Sequence, residues 1–275
     1  MTISAKEVQE LRKISGAGMM ECKTALSDAN GDLDQAFKIL REKGIAKAGK
    51  KSLRDANEGL IGVMVENETA CIVEVNSETD FVSRNSEFHS LLRSILEISM
   101  KNIDDHELIR EKSTDLINTA VGKIGENIVL KRINSMRGKI FSYVHNSISE
   151  GLGKIGVLVK LDTNMQNIDE IGKNICMHIA ALSPRSISVD DLDKEIIENE
   201  RNIISQQLKE TGKPDNIVEK MLVGKLKKFT DECTLLGQKF VIDQSINVRE
   251  YLESSAANNN DKITIKEFIR FEIGS

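Results

Sequence analysis

The sequence predicts an α+β protein, helical at its N-terminus and alternating between strands and helices beyond. Three observations carry that reading. Capping signals and a helical apolar period dominate the first 44 residues, paired β-rich runs separated by short polar turns follow, and only two prolines interrupt 275 residues.

Ser4 and Glu7 stand at capping-box spacing, and Val8, Leu11 and Ile14 then recur as one apolar stripe. Gly16-Ala17-Gly18 breaks that helix. A second helix carries Met20, Cys22, Ala25, Leu26 and Ala29 and ends at Asn30-Gly31. Asp32 with Gln35 opens a third, whose Leu33, Ala36, Phe37 and Leu40 are expected to face inward until Gly44 stops it. These helices predict a three-helix domain at 1–45. The basic, small-residue stretch after it reads as a partly helical linker at 46–58.

Leu60–Val65 and Ala70–Val75 are β-rich runs separated by the four polar residues Glu66 to Thr69, the pattern of an antiparallel hairpin. A polar loop follows, then a helix from about Glu87 to Met100, helical stretches near 104–124 and an extended Asn127–Ile133. Lys139–His145 and Lys154–Leu161 predict a second hairpin, followed by a helix from Ile168 to Leu182 that ends at Ser183-Pro184. Two hairpin-plus-helix units in succession define a core of two parts, 59–137 and 138–275. Within the second, the pairs Ile196/Ile203 and Ile197/Ile204 with Leu208, and Val218, Leu222 and Phe229 on the return, predict an antiparallel helical hairpin at about 188–230. Thr211-Gly212-Lys213-Pro214 supplies its turn. About twenty residues per arm at ~1.5 Å each make a finger about 30 Å long. Ile263–Ile273 is expected to return as a last strand.

Composition narrows the function classes. With 40% hydrophobic and 29% charged residues the chain is an ordinary globular protein, and a net charge of −5 argues against a nucleic-acid partner, which draws on clustered positive charge. The most basic stretch, Lys47–Arg54, lacks an aromatic that could stack on a base and reads as a solvated linker. The four cysteines are too dispersed for a disulfide framework or a metal-ligand pair and read as buried thiols in a reducing compartment. The N-terminus has no basic segment followed by an apolar one, and no long apolar window exists, so a cytoplasmic location without a membrane partner is expected.

Gly151-Leu152-Gly153-Lys154-Ile155-Gly156 matches the dinucleotide fingerprint GxGxxG, but a β-rich run follows where that fingerprint needs a helix. There is no phosphate-loop motif, so no bound nucleotide and no cofactor are expected. The histidines at 89, 106, 145 and 178 have no metal-ligand spacing, and no metal is expected. Cys22, near a helix start, is the thiol whose pKa the sequence would lower, yet nothing gathers a triad around it. The chain reads as a non-enzyme.

The most informative segment is Glu78-Thr79-Asp80-Phe81-Val82-Ser83-Arg84-Asn85, which puts an aromatic into a polar stretch between strand and helix. Either Phe81 is displayed to a partner or it tucks under its own loop. Here the residues resemble a known family. Leu11-Arg12 with Ser15-Gly16-Ala17-Gly18-Met19-Met20-Glu21-Cys22-Lys23, and Glu74-Val75-Asn76-Ser77-Glu78-Thr79-Asp80-Phe81-Val82, look like the two signatures of the elongation factor Ts family. Lys123-Ile124-Gly125-Glu126-Asn127-Ile128, Ile155–Val159, Gly212-Lys213-Pro214, Lys227-Lys228-Phe229 and Phe268–Glu272 extend the similarity over nearly the whole chain.

The resemblance implies a ubiquitin-associated-like (UBA-like) N-terminal domain, a two-part core and a protruding coiled coil. It further implies a guanine nucleotide exchange factor whose partner is the GTPase elongation factor Tu. Asp80 and Phe81, with Thr79 and Val82 beside them, would enter the GTP-binding domain near its magnesium site. Arg12, Met19 and Met20 would meet a helix of that domain, and His145 would lie toward another domain. Family members typically carry a further helical module after the stretch matching Phe271–Gly274, so contacts from that module are not among those carried over. Two readings of other classes stand beside this one: a UBA-like binding adaptor without exchange activity, and a cysteine hydrolase built on Cys22.

Overall fold

Ser4 begins the first helix through the reciprocal bonds its spacing predicts: its hydroxyl accepts from the Glu7 amide at 3.3 Å, and the Glu7 carboxylate accepts from the Ser4 amide at 2.7 Å. The computed structural model describes residues 3–211, 213–257 and 261–275, with the side chains of residues 45–48 and 50 outside that description. Helix α1 (Ala5–Ser15) ends at Gly16, whose φ of +66° suits a residue without Cβ. Helix α2 (Met19–Asp28) ends at Asn30 and Gly31, both left-handed, and Asp32 then caps α3 (Leu33–Lys51) by accepting from the Gln35 amide at 2.8 Å. Leu11, Cys22, Ala25, Leu26 and Ala36 form the buried centre of the three helices.

Three expectations change here. Helix α3 does not stop at Gly44 but continues to Lys51 through most of the stretch read as linker. Gly44 lies within the helix where α3 packs along α5 (His106–Ile124), and a Cβ there would meet the Asn118 carbonyl oxygen at 3.8 Å, an ordinary contact. Phe37 and Ile14 are exposed rather than inward-facing. Phe37 lies one position off the stripe of Leu33, Ala36 and Leu40, on the side of α3 that packs along α5. Ile14 falls in the last turn of α1, beyond the reach of the three-helix core.

Strands β1 (Glu58–Glu66) and β2 (Thr69–Ser77) pair antiparallel in the register Glu66↔Thr69, the turn being made by Asn67 at φ +53°. Helix α4 (Ser86–Lys101) packs on both strands, and α5 packs on α4. Leu60, Val73, Phe88, Leu92, Ile95 and Ile109 are central to the resulting core. β3 (Ile128–Arg137) follows α5, then β4 (Ile140–His145), β5 (Leu152–Gly153) and β6 (Ile155–Asp162). The four-stranded sheet has the order β3-β2-β1-β5. The two-residue β5 therefore interrupts the predicted second hairpin, because it pairs with Ile61 and Gly62 before β6 begins. The glycines of the GxGxxG match fall in and around these short strands, with Gly156 close enough to Ile61 that a Cβ would meet its Cγ2 at 2.5 Å.

In the second sheet, ordered β4-β6-β7, the last strand β7 (Thr264–Glu272) returns beside β6. Helix α6 (Asp169–Leu182) packs on β4 and ends at Ser183, left-handed at φ +46°, before Pro184. Helices α7 (Lys194–Lys209) and α8 (Asp215–Cys233) pack against each other, with Ile204 and Leu208 buried and Ile203 exposed. Gly212 of their expected turn lies outside the described residues. Helix α9 (Val248–Ala257) packs on α6. The architecture is α+β. By contact density the chain divides into one unit of residues up to Ser135 with Asn146–Gly156 and Phe271–Ser275, and a second of Met136–His145 with Val157–Arg270.

Candidate functional site

Strand β2 ends at Ser77, and the next residues make a short 3₁₀ turn, Asp80–Arg84, before Asn85 caps α4 by accepting from the Glu87 amide at 2.8 Å. The turn is fixed from inside. Val82 is 5% exposed and packs in the same core as Phe88. The Ser83 hydroxyl donates to the Asp80 carbonyl at 2.5 Å, the His89 Nε2 lies 2.7 Å from the Ser83 carbonyl, and the Ser77 hydroxyl donates to the Thr79 carbonyl at 3.0 Å. Phe81 is 80% exposed, with Asp80 and Arg84 open on either side of it.

Glu126 and Asn127, just beyond α5, anchor the start of the turn. The Glu126 carboxylate accepts from the Thr79 amide at 3.0 Å and from its hydroxyl at 2.6 Å. In the opposite sense, the Asn127 amide donates to Glu78 at 2.6 Å. That bond, with Arg54 3.3 Å away adding to it, holds the Glu78 carboxyl below the ordinary carboxylate range. The Asn127 side chain closes the set by donating to the Arg54 carbonyl at 2.7 Å.

A second display lies at the turn between α1 and α2. Met19 and Met20 are 59% and 70% exposed, and Arg12 and Ile14 are also open. Lys123 packs under this turn, since a Cβ on Gly16 would meet its Cε at 2.4 Å, while its ammonium stands 3.3 Å from Glu87 at the start of α4. One lysine thus touches both the turn bearing the methionines and the helix that follows the phenylalanine. His145 belongs to the other unit, at the end of β4, exposed and 3.1 Å from the Tyr143 hydroxyl.

Of the residues singled out from sequence, Asp80, Phe81, Arg12, Met19 and Met20 carry outward surface within one unit. Thr79 has its amide and hydroxyl committed to Glu126, and Val82 is an internal anchor. Ile14, Glu126 and His89 were missed. Ile14 sat on an apparent core stripe, and Glu126 is 47 residues from its partner, beyond any local spacing rule. In the Lys47–Arg54 stretch, Lys51 donates to the Gly125 carbonyl and Arg54 pairs with Glu78, so both cations have partners in their own chain.

Cys22 is fully buried, its sulfur 3.7 Å from the Ala17 carbonyl, and offers no surface to a substrate. Burial pushes the Cys71 thiol up to about 12 and raises Cys176 as well. Cys233, read as buried, is partly exposed. Among the described residues no three His, Cys, Asp or Glu side chains gather as a metal-binding cluster, and no helix is long and apolar enough to cross a membrane.

A ring on a turn fixed at both ends and two thioethers at the start of α2 stand exposed within one unit, the kind of surface that proteins of the docking-factor class present. Residues 78–275 match the family model described as Elongation factor TS. The chain is 46% identical over 257 residues to the Elongation factor Ts of Paracoccus denitrificans, covering 91% of this chain and 87% of that one. It is 42% identical to the Elongation factor Ts of Bartonella tribocorum over 100% of this chain and 94% of the relative, and 42% identical to that of Rhizorhabdus wittichii over 99% and 92%. The chain belongs to the elongation factor Ts family, and so to the elongation factors of protein biosynthesis.

Proposed function

We propose that this chain is the guanine nucleotide exchange factor of the GTPase elongation factor Tu and acts in the cytoplasm. The observation that carries the reading is Phe81, 80% exposed at the tip of a turn whose two ends are tied to the chain's own core. A single exposed apolar side chain needs no explanation by itself, but an aromatic ring held at the tip of a turn tied at both ends is a fixed anchor that a partner's pocket can cover. Family membership supplies the partner's class.

The factor speeds GDP release by binding Tu in a state that holds GDP weakly. By linkage, GDP then weakens the factor's binding by the same ratio. A thousandfold weakening corresponds to about 4 kcal/mol of coupling. Burying one phenylalanine contributes about 1.5–3 kcal/mol, so Phe81 supplies part of it and other contacts the remainder. In this mechanism Phe81 enters between helices beside the magnesium site of Tu, and the Asp80 carboxylate disturbs the hydrogen bonds that orient groups around that ion. Arg12, Met19 and Met20 hold the factor on the same domain, and His145 contacts a second domain. Val82 and Thr79 serve the wedge from behind.

Stopped-flow release of a fluorescent GDP analogue from Tu tests this reading. Substoichiometric chain should accelerate release and regenerate between turnovers. Unchanged release at saturating chain would refute the assignment and favour the adaptor reading.

A further inference from the structure

We propose that Glu126 is the positioning residue of the exchange turn: it sets the direction in which Phe81 points and acts on GDP release only through that ring. The inference rests on the exchange reading above and adds a residue to it.

Thr79 is the residue at which the chain leaves β2 and enters the 3₁₀ turn, and its backbone is extended at φ −127°, ψ 158°. The direction of everything that follows depends on how that one residue is held. Glu126 grips it by two bonds, from the amide at 3.0 Å and the hydroxyl at 2.6 Å, one to each carboxylate oxygen. A carboxylate accepting two hydrogen bonds makes stronger, shorter contacts than a neutral acceptor. Because Glu78 accepts from Asn127 in the reverse sense at 2.6 Å, residues 78–79 and 126–127 form a reciprocal latch between the end of β2 and the start of β3, neighbouring strands of one sheet. The far end of the turn is held separately, by His89 at the Ser83 carbonyl. A glutamine at 126 could still accept from the Thr79 amide and donate its NH₂ to the Thr79 oxygen, but neither bond would be charge-assisted.

A double-mutant cycle on release of the fluorescent GDP analogue separates positioning from general destabilisation. With wild-type chain as control, Glu126→Ala should lower the maximal release rate about tenfold and Glu126→Gln by a smaller factor, since the first removes both bonds and the second only their charge assistance. The half-saturating concentration should change less than the rate. In a Phe81→Ala background, Glu126→Ala should have no further effect, because the group it aims is gone. Thr79→Val, which removes the hydroxyl and keeps the shape, should reproduce part of the loss and serves if Glu126→Ala fails to fold; Thr79→Ser should restore it.

Equal fold-losses for Glu126→Ala in the two backgrounds, or wild-type rates for both Glu126→Ala and Thr79→Val, would overturn the positioning role while leaving the exchange reading intact. An inert wild-type chain would overturn both, and is told apart by that control alone.

Discussion

Phe81 and Val82 are consecutive residues of one 3₁₀ turn and stand at opposite limits of exposure, 80% and 5%. Substitution should therefore separate activity from stability. Phe81→Ala is expected to change unfolding free energy by no more than about 0.5 kcal/mol, as for an exposed position. Val82→Ala should cost about 1–2 kcal/mol through lost burial and a residual cavity. Urea denaturation of the two variants checks this directly.

Glu74 has no side-chain exposure, and its carboxylate is held by Arg132, whose guanidinium also lies 4.4 Å from the Phe271 ring centroid, with the Lys131 ammonium 3.5 Å away. Removing one partner of a buried pair leaves a charge that water cannot reach. Arg132→Met leaves the buried carboxylate with the Lys131 ammonium alone and should destabilise the chain by about 1–3 kcal/mol. Adding Glu74→Leu should recover most of that, although each change alone is harmful. The midpoint of chemical denaturation for the single and double variants gives the comparison.

His178 is buried between the Gln238 side-chain oxygen Oε1, 3.0 Å from its Nε2, and the Val241 amide, which donates to Nδ1 at 3.1 Å, with Phe240 stacked beside it. Burial holds its pKa below the ordinary 6.5, the Gln238 bond opposing this in part. The unfolded chain thus takes up a proton that the folded chain resists. The contribution is fully present above pH 6.5 and is lost as pH falls below it towards the depressed folded value. Melting temperature should begin to decline as pH falls below 6.5, and His178→Gln should flatten the decline.

Two helix-interior glycines should respond with opposite signs to the same substitution. A Cβ on Gly172 of α6 would meet the Phe141 ring at 2.1 Å, whereas around Gly224 of α8 nothing lies within 4 Å. Gly224→Ala should stabilise by up to about 1 kcal/mol from helix propensity. Gly172→Ala should lose that gain to overpacking and destabilise by about 1–2 kcal/mol net. Thermal melts of the pair decide it.

What could be read from sequence was what neighbouring residues decide among themselves. The Ser4–Glu7 cap, the β1–β2 hairpin and the stop at Ser183-Pro184 are local chemistry, and each stands where its spacing put it. Gly44 misled because glycine is tolerated inside a helix as well as at its end, and the packing of α3 along α5, far along the chain, supports the longer helix. Ile14 and Phe37 misled because an apolar stripe does not say how many neighbours it serves. The second hairpin hid the two-residue β5, too short to show a period. At the site, the tip was legible as an aromatic in a polar segment. Its supports were not, since Glu126 and Thr79 meet only after β3 and β2 are side by side.

The central claim is that the Phe81 ring acts on Tu by distorting its nucleotide site rather than by adding affinity alone. The decisive comparison is Phe81→Ala against wild type in two assays, maximal GDP release at saturating chain and equilibrium binding to nucleotide-free Tu. The account predicts that release slows by about tenfold or more while binding to the empty GTPase weakens by a much smaller factor. Equal losses in both would mean that the ring only tethers, and would contradict it.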